Sequence, residues 1–197
     1  MPTSTSLTRA VRREQLLDAA ADLVAERGVA GVTMEGVAAM AGASKALPYR
    51  HFANADAVLV ALYHRELDLV ADRVTAAVRT SGRGDAVLRA AIGAYFEVVD
   101  ERGAILAVLA GAGSPVPDLE GAGRARSPEL VARLVADAYG INDETARALG
   151  ALLVGLVTAA SDAIGLGLTD RATAERLAAA ASIGAVRAVI RAERGRR

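Results

Sequence analysis

The sequence predicts an all-α protein, with an N-terminal three-helix helix-turn-helix domain followed by a larger helical domain. Three observations carry this reading. Apolar residues recur three and four apart along most of the 197 residues, the period of a helix face. Glycines and capping residues interrupt that pattern at helix-length intervals. No stretch sustains the period-two alternation of a half-buried strand.

The elements follow in order. Residues 1–8 are polar and read as disordered, and the first helix is placed at Arg9 to Glu26, with Val11, Leu16, Ala19, Ala20, Leu23 and Val24 near one face. Gly28 stops it by supplying the positive φ that helix ends favour. Thr33 is placed as the N-cap of a short second helix, although Gly36 stands where a capping box wants Glu or Gln. Gly42 makes a turn, and Ser44 is read as the cap of a third helix, Lys45 to about Arg50. Two short helices about a glycine turn have the form of a helix-turn-helix. Long helices are then expected from Asp56 to about Thr80 and from Asp85 to Glu101, with Gly103 as a break and a brief apolar turn or helix at 105–109. Residues 111–128 read as a Gly/Pro-rich loop, and Pro128 as the first turn of a helix capped by Ser127 and ending at Tyr139. Two long helices close the chain, from Asp143 to Ile164 and from Asp170 to Arg194.

Composition excludes several classes. With 53% hydrophobic residues the chain has material for a sizeable core. It has no cysteine, so disulfides and thiolate metal sites are out. The N-terminus lacks the apolar core of a signal peptide. The 148–161 run is uncharged for only 14 residues, short of the roughly 20 a bilayer span wants. It reads as a helix buried on most of its surface, and the protein as cytoplasmic with no membrane partner. Formal net charge is 0, so bulk charge advertises no nucleic acid. Up to Ala55, Arg9, Arg12, Arg13, Arg27, Lys45 and Arg50 outnumber Glu14, Asp18, Asp22, Glu26 and Glu35 by one.

No nucleophile elbow, P-loop or dinucleotide fingerprint occurs, which argues against an enzyme. His51 and His64 are the only histidines. Neither shows the spacing of a metal-binding helix, so no metal or other cofactor is expected. His64, beside Arg65, Glu66 and Asp68, reads as part of a solvated face.

The run TMEGVAAMAGASKALPYRHF at 33–52, preceded by RREQLLDAAADLVAERGVAGVT and followed by FANADAVLVALYHRELD, resembles the TetR family of bacterial transcription regulators. The likeness covers about the first 70 residues. It implies a DNA-binding domain at 10–55 and an effector-binding and dimerisation domain at 56–197. It implies a homodimer on a palindromic double-stranded operator, most simply a repressor released by a small molecule. Carried onto this sequence, it assigns DNA contacts to Thr33, Ser44, Lys45, Leu47, Tyr49 and His51. The chemistry agrees: hydroxyls and a lysine suit phosphate, and a leucine methyl suits the thymine methyl. Phe52 is the packing residue of the unit. Pro48, Gly36 and Ala55 depart from the family pattern. Pro48 removes a donor near the helix start, and Ala55 stands where a phosphate-contacting lysine is common. These departures support a rival reading, a ligand-binding or scaffolding dimer with little DNA affinity.

Two further sets complete the expectations. Tyr95, Phe96 and Tyr139 are candidates to line a pocket for a small apolar or amphipathic effector. Ala151, Gly155 and Ala159 fall at i, i+4 and i+8, and Leu177, Ala181, Gly184 and Ala188 form a second small apolar surface. One helix has one face to bury in its own core, so a second apolar face implies a partner, here a second copy. Asp162 is read either as a partner for Arg147 or Arg187 or as the helix's exit into water.

Overall fold

The computed structural model describes residues 4–110 and 119–195, and these form eight α-helices and one short 3-10 turn. The helices are α1 (Ser4–Arg27), α2 (Met34–Met40), α3 (Ala46–Tyr49), α4 (Ala55–Val78), α5 (Asp85–Ala110), α6 (Leu119–Tyr139), α7 (Asp143–Gly165) and α8 (Arg171–Arg194), with the 3-10 turn at Val29–Gly31. The all-α class holds, with the helix-turn-helix arrangement first and the longer helices after it.

The chain divides into two compact units. One runs through Glu66 and takes in Gly103–Ala122; the other holds Leu67–Arg102 and the chain from Gly123 onward. The first unit is built on α1, whose Leu16, Leu17, Ala20, Leu23 and Val24 are buried with Val37 of α2, Phe52, and Val58, Leu59 and Leu62 of α4. Arg65 of α4 ties the same two long helices together from outside, with Nη1 2.7 Å from Asp18 and 3.6 Å from Glu14 on α1. In the second unit, Leu149 and Leu153 of α7 meet Ile183 and Val186 of α8, Leu88 of α5 and Val135 of α6.

Several expectations change. Residues 4–8 are helical, because α1 begins at Ser4. Gly103 does not break α5, which is continuous to Ala110. A glycine inside a helix costs about 1 kcal/mol relative to alanine, and Ile105, buried in the first core, offsets it. Pro128 lies inside α6 and does not begin it, so Ser127 is no cap; residues 111–118 of the expected loop lie outside the described residues. There α6 is gripped by α7, for a Cβ on Gly150 would fall 2.3 Å from the Pro128 carbonyl oxygen. That packing keeps a helical path where the local rule reads a boundary.

Arg187 pairs with Asp85 and not with Asp162, which is exposed. His64 is half-buried with its Nε2 enclosed, and Glu66 is buried, while Asp68 is exposed, so only part of that set is solvated. Nor is α7 buried on most of its surface. It is long and apolar enough to cross a membrane by length and composition, yet only 17% of its apolar window is buried.

Candidate nucleic-acid interface

The helix-turn-helix is assembled from caps and one tight turn. Thr33, in extended conformation, accepts a hydrogen bond from Gly36 N at its Oγ1 over 3.0 Å and so caps α2. The missing Glu at position 36 is explained by packing. A Cβ there would sit 3.0 Å from Thr33 Oγ1 and 3.4 Å from Leu23 Cδ1 of α1, so glycine lets α2 lie close on α1 with its cap intact. After α2, Ala43 N donates to Ala38 O at 2.9 Å, and Gly42 turns the chain with φ of 59°, a left-handed angle that glycine adopts without strain.

The third helix is shorter than expected and begins differently. It spans Ala46–Tyr49, and no side chain caps it, so Ser44 contributes its carbonyl rather than its hydroxyl. The Ser44 carbonyl oxygen accepts from Leu47 N at 2.9 Å. That bond occupies the acceptor that residue 48 would have used four residues on. Pro48 therefore deprives the helix of little, and it is buried. Asn54, not singled out in the sequence, caps α4 by accepting from Ala57 N at 2.8 Å; an Asn shortly before a periodic apolar run is the signal that could have found it.

The six predicted contact residues are not equivalent in this geometry. Ser44, Lys45 and Tyr49 are exposed around α3, and Lys45 makes no ion pair among the described residues. Thr33 is also exposed, and a hydroxyl that accepts in a cap keeps its hydrogen free to donate. Leu47 packs partly against the core, so only its outer part is open to a base. His51 is half-buried at the end of the unit. Phe52, beneath it, is buried as expected and carries the guanidinium of Arg13 5.2 Å from its ring centroid. His51 is held below its ordinary pKa of 6.5, first by burial and then by the charges of Arg9, Arg50 and Arg13.

The other candidates separate. Tyr95 and Phe96 meet edge-to-face, with centroids 5.5 Å apart, in a cluster with Ile92 and Ala174, Ala178 and Ala179 of α8. Tyr139 lies in a different cluster, and its hydroxyl donates to Asp85 Oδ1 at 2.9 Å. Burial and that bond to a carboxylate push the Tyr139 hydroxyl pKa up. The three aromatics are thus not gathered at one place. By contrast Ala151, Gly155, Ala159, Leu177, Ala181, Gly184 and Ala188 are all exposed. Beside them Leu152 is 69% and Leu177 58% exposed, although α7 and α8 bury their opposite faces against each other.

A capped helix, a glycine turn and a short helix with polar side chains outward define a helix-turn-helix protein. The sequence profile of the bacterial regulatory proteins of the tetR family matches residues 16–62. The chain is 35% identical over 94 residues to the HTH-type transcriptional activator FasR of Mycolicibacterium smegmatis, a match spanning 48% of this chain and 43% of that one. The chain thus covers less than half the length of that relative. Among solved structures, the TetR-family regulator SCO4454 from Streptomyces coelicolor shares 25% identity at a TM-score of 0.70, covering 96% of this chain and 97% of that one. A SmeT–triclosan complex shares 25% identity at a TM-score of 0.69, covering 89% and 91%. Residues 16–62 thus match the N-terminal segment of the tetR family, and the described helices are similar in fold to a solved TetR-family regulator.

Proposed function

We propose that this protein is a cytoplasmic, homodimeric DNA-binding transcription regulator, with residues 10–55 reading DNA and 56–197 binding an effector and dimerising. The observation that carries the reading is the exposed set Thr33, Ser44, Lys45 and Tyr49 around a helix-turn-helix in which Thr33 caps α2 and Gly42 makes the turn. Hydroxyls and a cation so disposed suit the phosphates and base edges of a major groove. The rival of a dimer with little DNA affinity loses two of its supports, since Gly36 keeps the α2 cap and Pro48 finds the Ser44 carbonyl already occupied. Ala55 and the basic excess of only one up to that residue still speak for it.

Regulation is assigned as repression relieved by a small apolar or amphipathic effector. SmeT in complex with triclosan supports small-molecule control. FasR, an activator, favours a second reading in which binding promotes transcription. The test is selection of bound sequences from random duplex DNA, then a reporter carrying the winning sequence, then a ligand screen on the complex. Recovery of a palindrome supports the reading; recovery of no bound duplex overturns it. Reporter output rising or falling with the protein decides between activation and repression.

A further inference from the structure

Arg9, Arg13 and Arg50, the charges around His51, are not among the six contacts carried over from the resemblance. On α1, Arg9 and Arg13 stand four residues apart, one helical turn. They prolong toward the N-terminus the face that buries Leu16, Leu17 and Ala20 in the first core. That face aims them at the end of the helix-turn-helix, and Arg13 does sit over the Phe52 ring, 5.2 Å from its centroid. The Phe52 ring is in turn 6.4 Å from the His51 ring. Arg50 is the neighbour of His51 in sequence.

Arg13 thus stands by geometry, and Arg9 and Arg50 by the sense of their charge effect, beside one half-buried imidazole. The charges acting on that imidazole are Arg9 and Arg13 from α1 and Arg50 from its own segment; no carboxylate is among them. Glu14 lies 3.6 Å from Arg13, but the same residue also serves Arg65. Like charges gathered beside an exposed reading helix disfavour one another until an anion arrives.

We propose that Arg9 and Arg13 of α1 join Arg50 and His51 in one site for a backbone phosphate of duplex DNA, and that His51 takes up a proton when the phosphate seats. This rests on the DNA-binding reading above and adds α1 to the surface that reads. The sign follows from the neighbours. In the free protein burial and three cations favour the neutral imidazole. A phosphate reverses the local field and favours imidazolium, which can donate from both ring nitrogens. Binding then gains as pH falls through the bound-state pKa of His51, and the gain levels off below the free-state value.

The probe is the duplex recovered by random-sequence selection, with the full-length protein. Affinity is measured by fluorescence anisotropy between about pH 5.5 and 8 at fixed ionic strength, and the titration of His51 is followed by NMR with and without duplex. His64 is the only other histidine, so a His51→Gln variant assigns the signal. The expected results are a rise in the His51 pKa on adding duplex and a tightening of binding on acidification of at most about tenfold per pH unit per subunit. His51→Gln should abolish the tightening. The double variant Arg9→Gln/Arg13→Gln should lower the salt slope of log affinity by about 1 per subunit or more.

A selected duplex bound with no pH dependence and no shift at His51 overturns this inference while the DNA-binding reading stands. A His51 rise produced equally by millimolar inorganic phosphate, with pH-independent duplex affinity, makes the cluster a free-anion site and also overturns it. A selection that returns no duplex overturns both.

Discussion

Pro48 stands at the third position of α3, where the backbone N–H is one of the four that no helix satisfies internally. With its ring buried and the Ser44 carbonyl already taken by Leu47 N, proline fits this backbone. Replacing it restores conformational freedom to the unfolded chain. We predict that Pro48→Leu lowers stability by about 0.4–1 kcal/mol, read from the midpoint of urea unfolding. A raised midpoint would mean that proline strains α3 after all. The sequence suggested a lost helix bond, because it shows a proline in a helix but not which acceptor is already occupied. Lys45 is the matching case for function. It is exposed and free of ion pairs among the described residues, and Lys45→Ala should flatten the salt dependence of duplex binding by about 1 unit of slope per subunit. An unchanged slope in titrations at several salt concentrations would place it away from the backbone.

At the scale of the element, glycines in one helix do opposite things. Gly150 of α7 faces α6, where a Cβ would fall 2.3 Å from Pro128 O and 2.9 Å from Ala132 N. Gly155, in the same helix, has nothing within 4 Å. Gly150→Ala must push α6 and α7 apart and should cost about 1–3 kcal/mol, as overpacking does. Gly155→Ala meets open space within the protomer and should gain up to about 1 kcal/mol of helix propensity. Thermal melts of the two variants under conditions that hold the protomer alone check the contrast; equal effects would contradict the close approach at Gly150. Periodicity located both glycines in the same helix and could not distinguish them, because which face meets α6 depends on the rotation of α7 in the packed unit.

At the scale of the whole molecule, the outward faces of α7 and α8 are the main unpartnered feature. Ala151, Gly155 and Ala159 run along one and Leu177, Ala181, Gly184 and Ala188 along the other, with Leu152 beside them, all exposed. Small residues let helices approach closely, and two exposed leucines add apolar area to bury. The native mass by light scattering should be near twice the 20.2 kDa of the chain. A Cβ at Gly155 or Gly184 meets nothing within 4 Å, and both positions are exposed, so of Gly155→Arg and Gly184→Arg at least one should fold by circular dichroism, run as a monomer and lose duplex binding. A wild-type protein monomeric across micromolar concentrations would remove the dimer, and with it paired half-sites about 34–36 Å apart.

The sequence by itself determined the helical class, the helix-turn-helix and the second apolar faces of α7 and α8. Those rest on local periodicity and on caps such as Thr33 and Asp170, whose bonds to Gly36 N and Thr173 N span three residues. The family resemblance, rather than local periodicity, marked Ser44, Lys45 and Tyr49, which are exposed. Only the tertiary structure decided what depends on distant partners. It carried α5 through Gly103 and α6 through Pro128, drew Arg187 to Asp85 across 102 residues, and separated Tyr139 from Tyr95 and Phe96. It also set Arg13 over Phe52. Helix propensity is a weak local term of a few tenths to about 1 kcal/mol per residue, which burial against another element overrides.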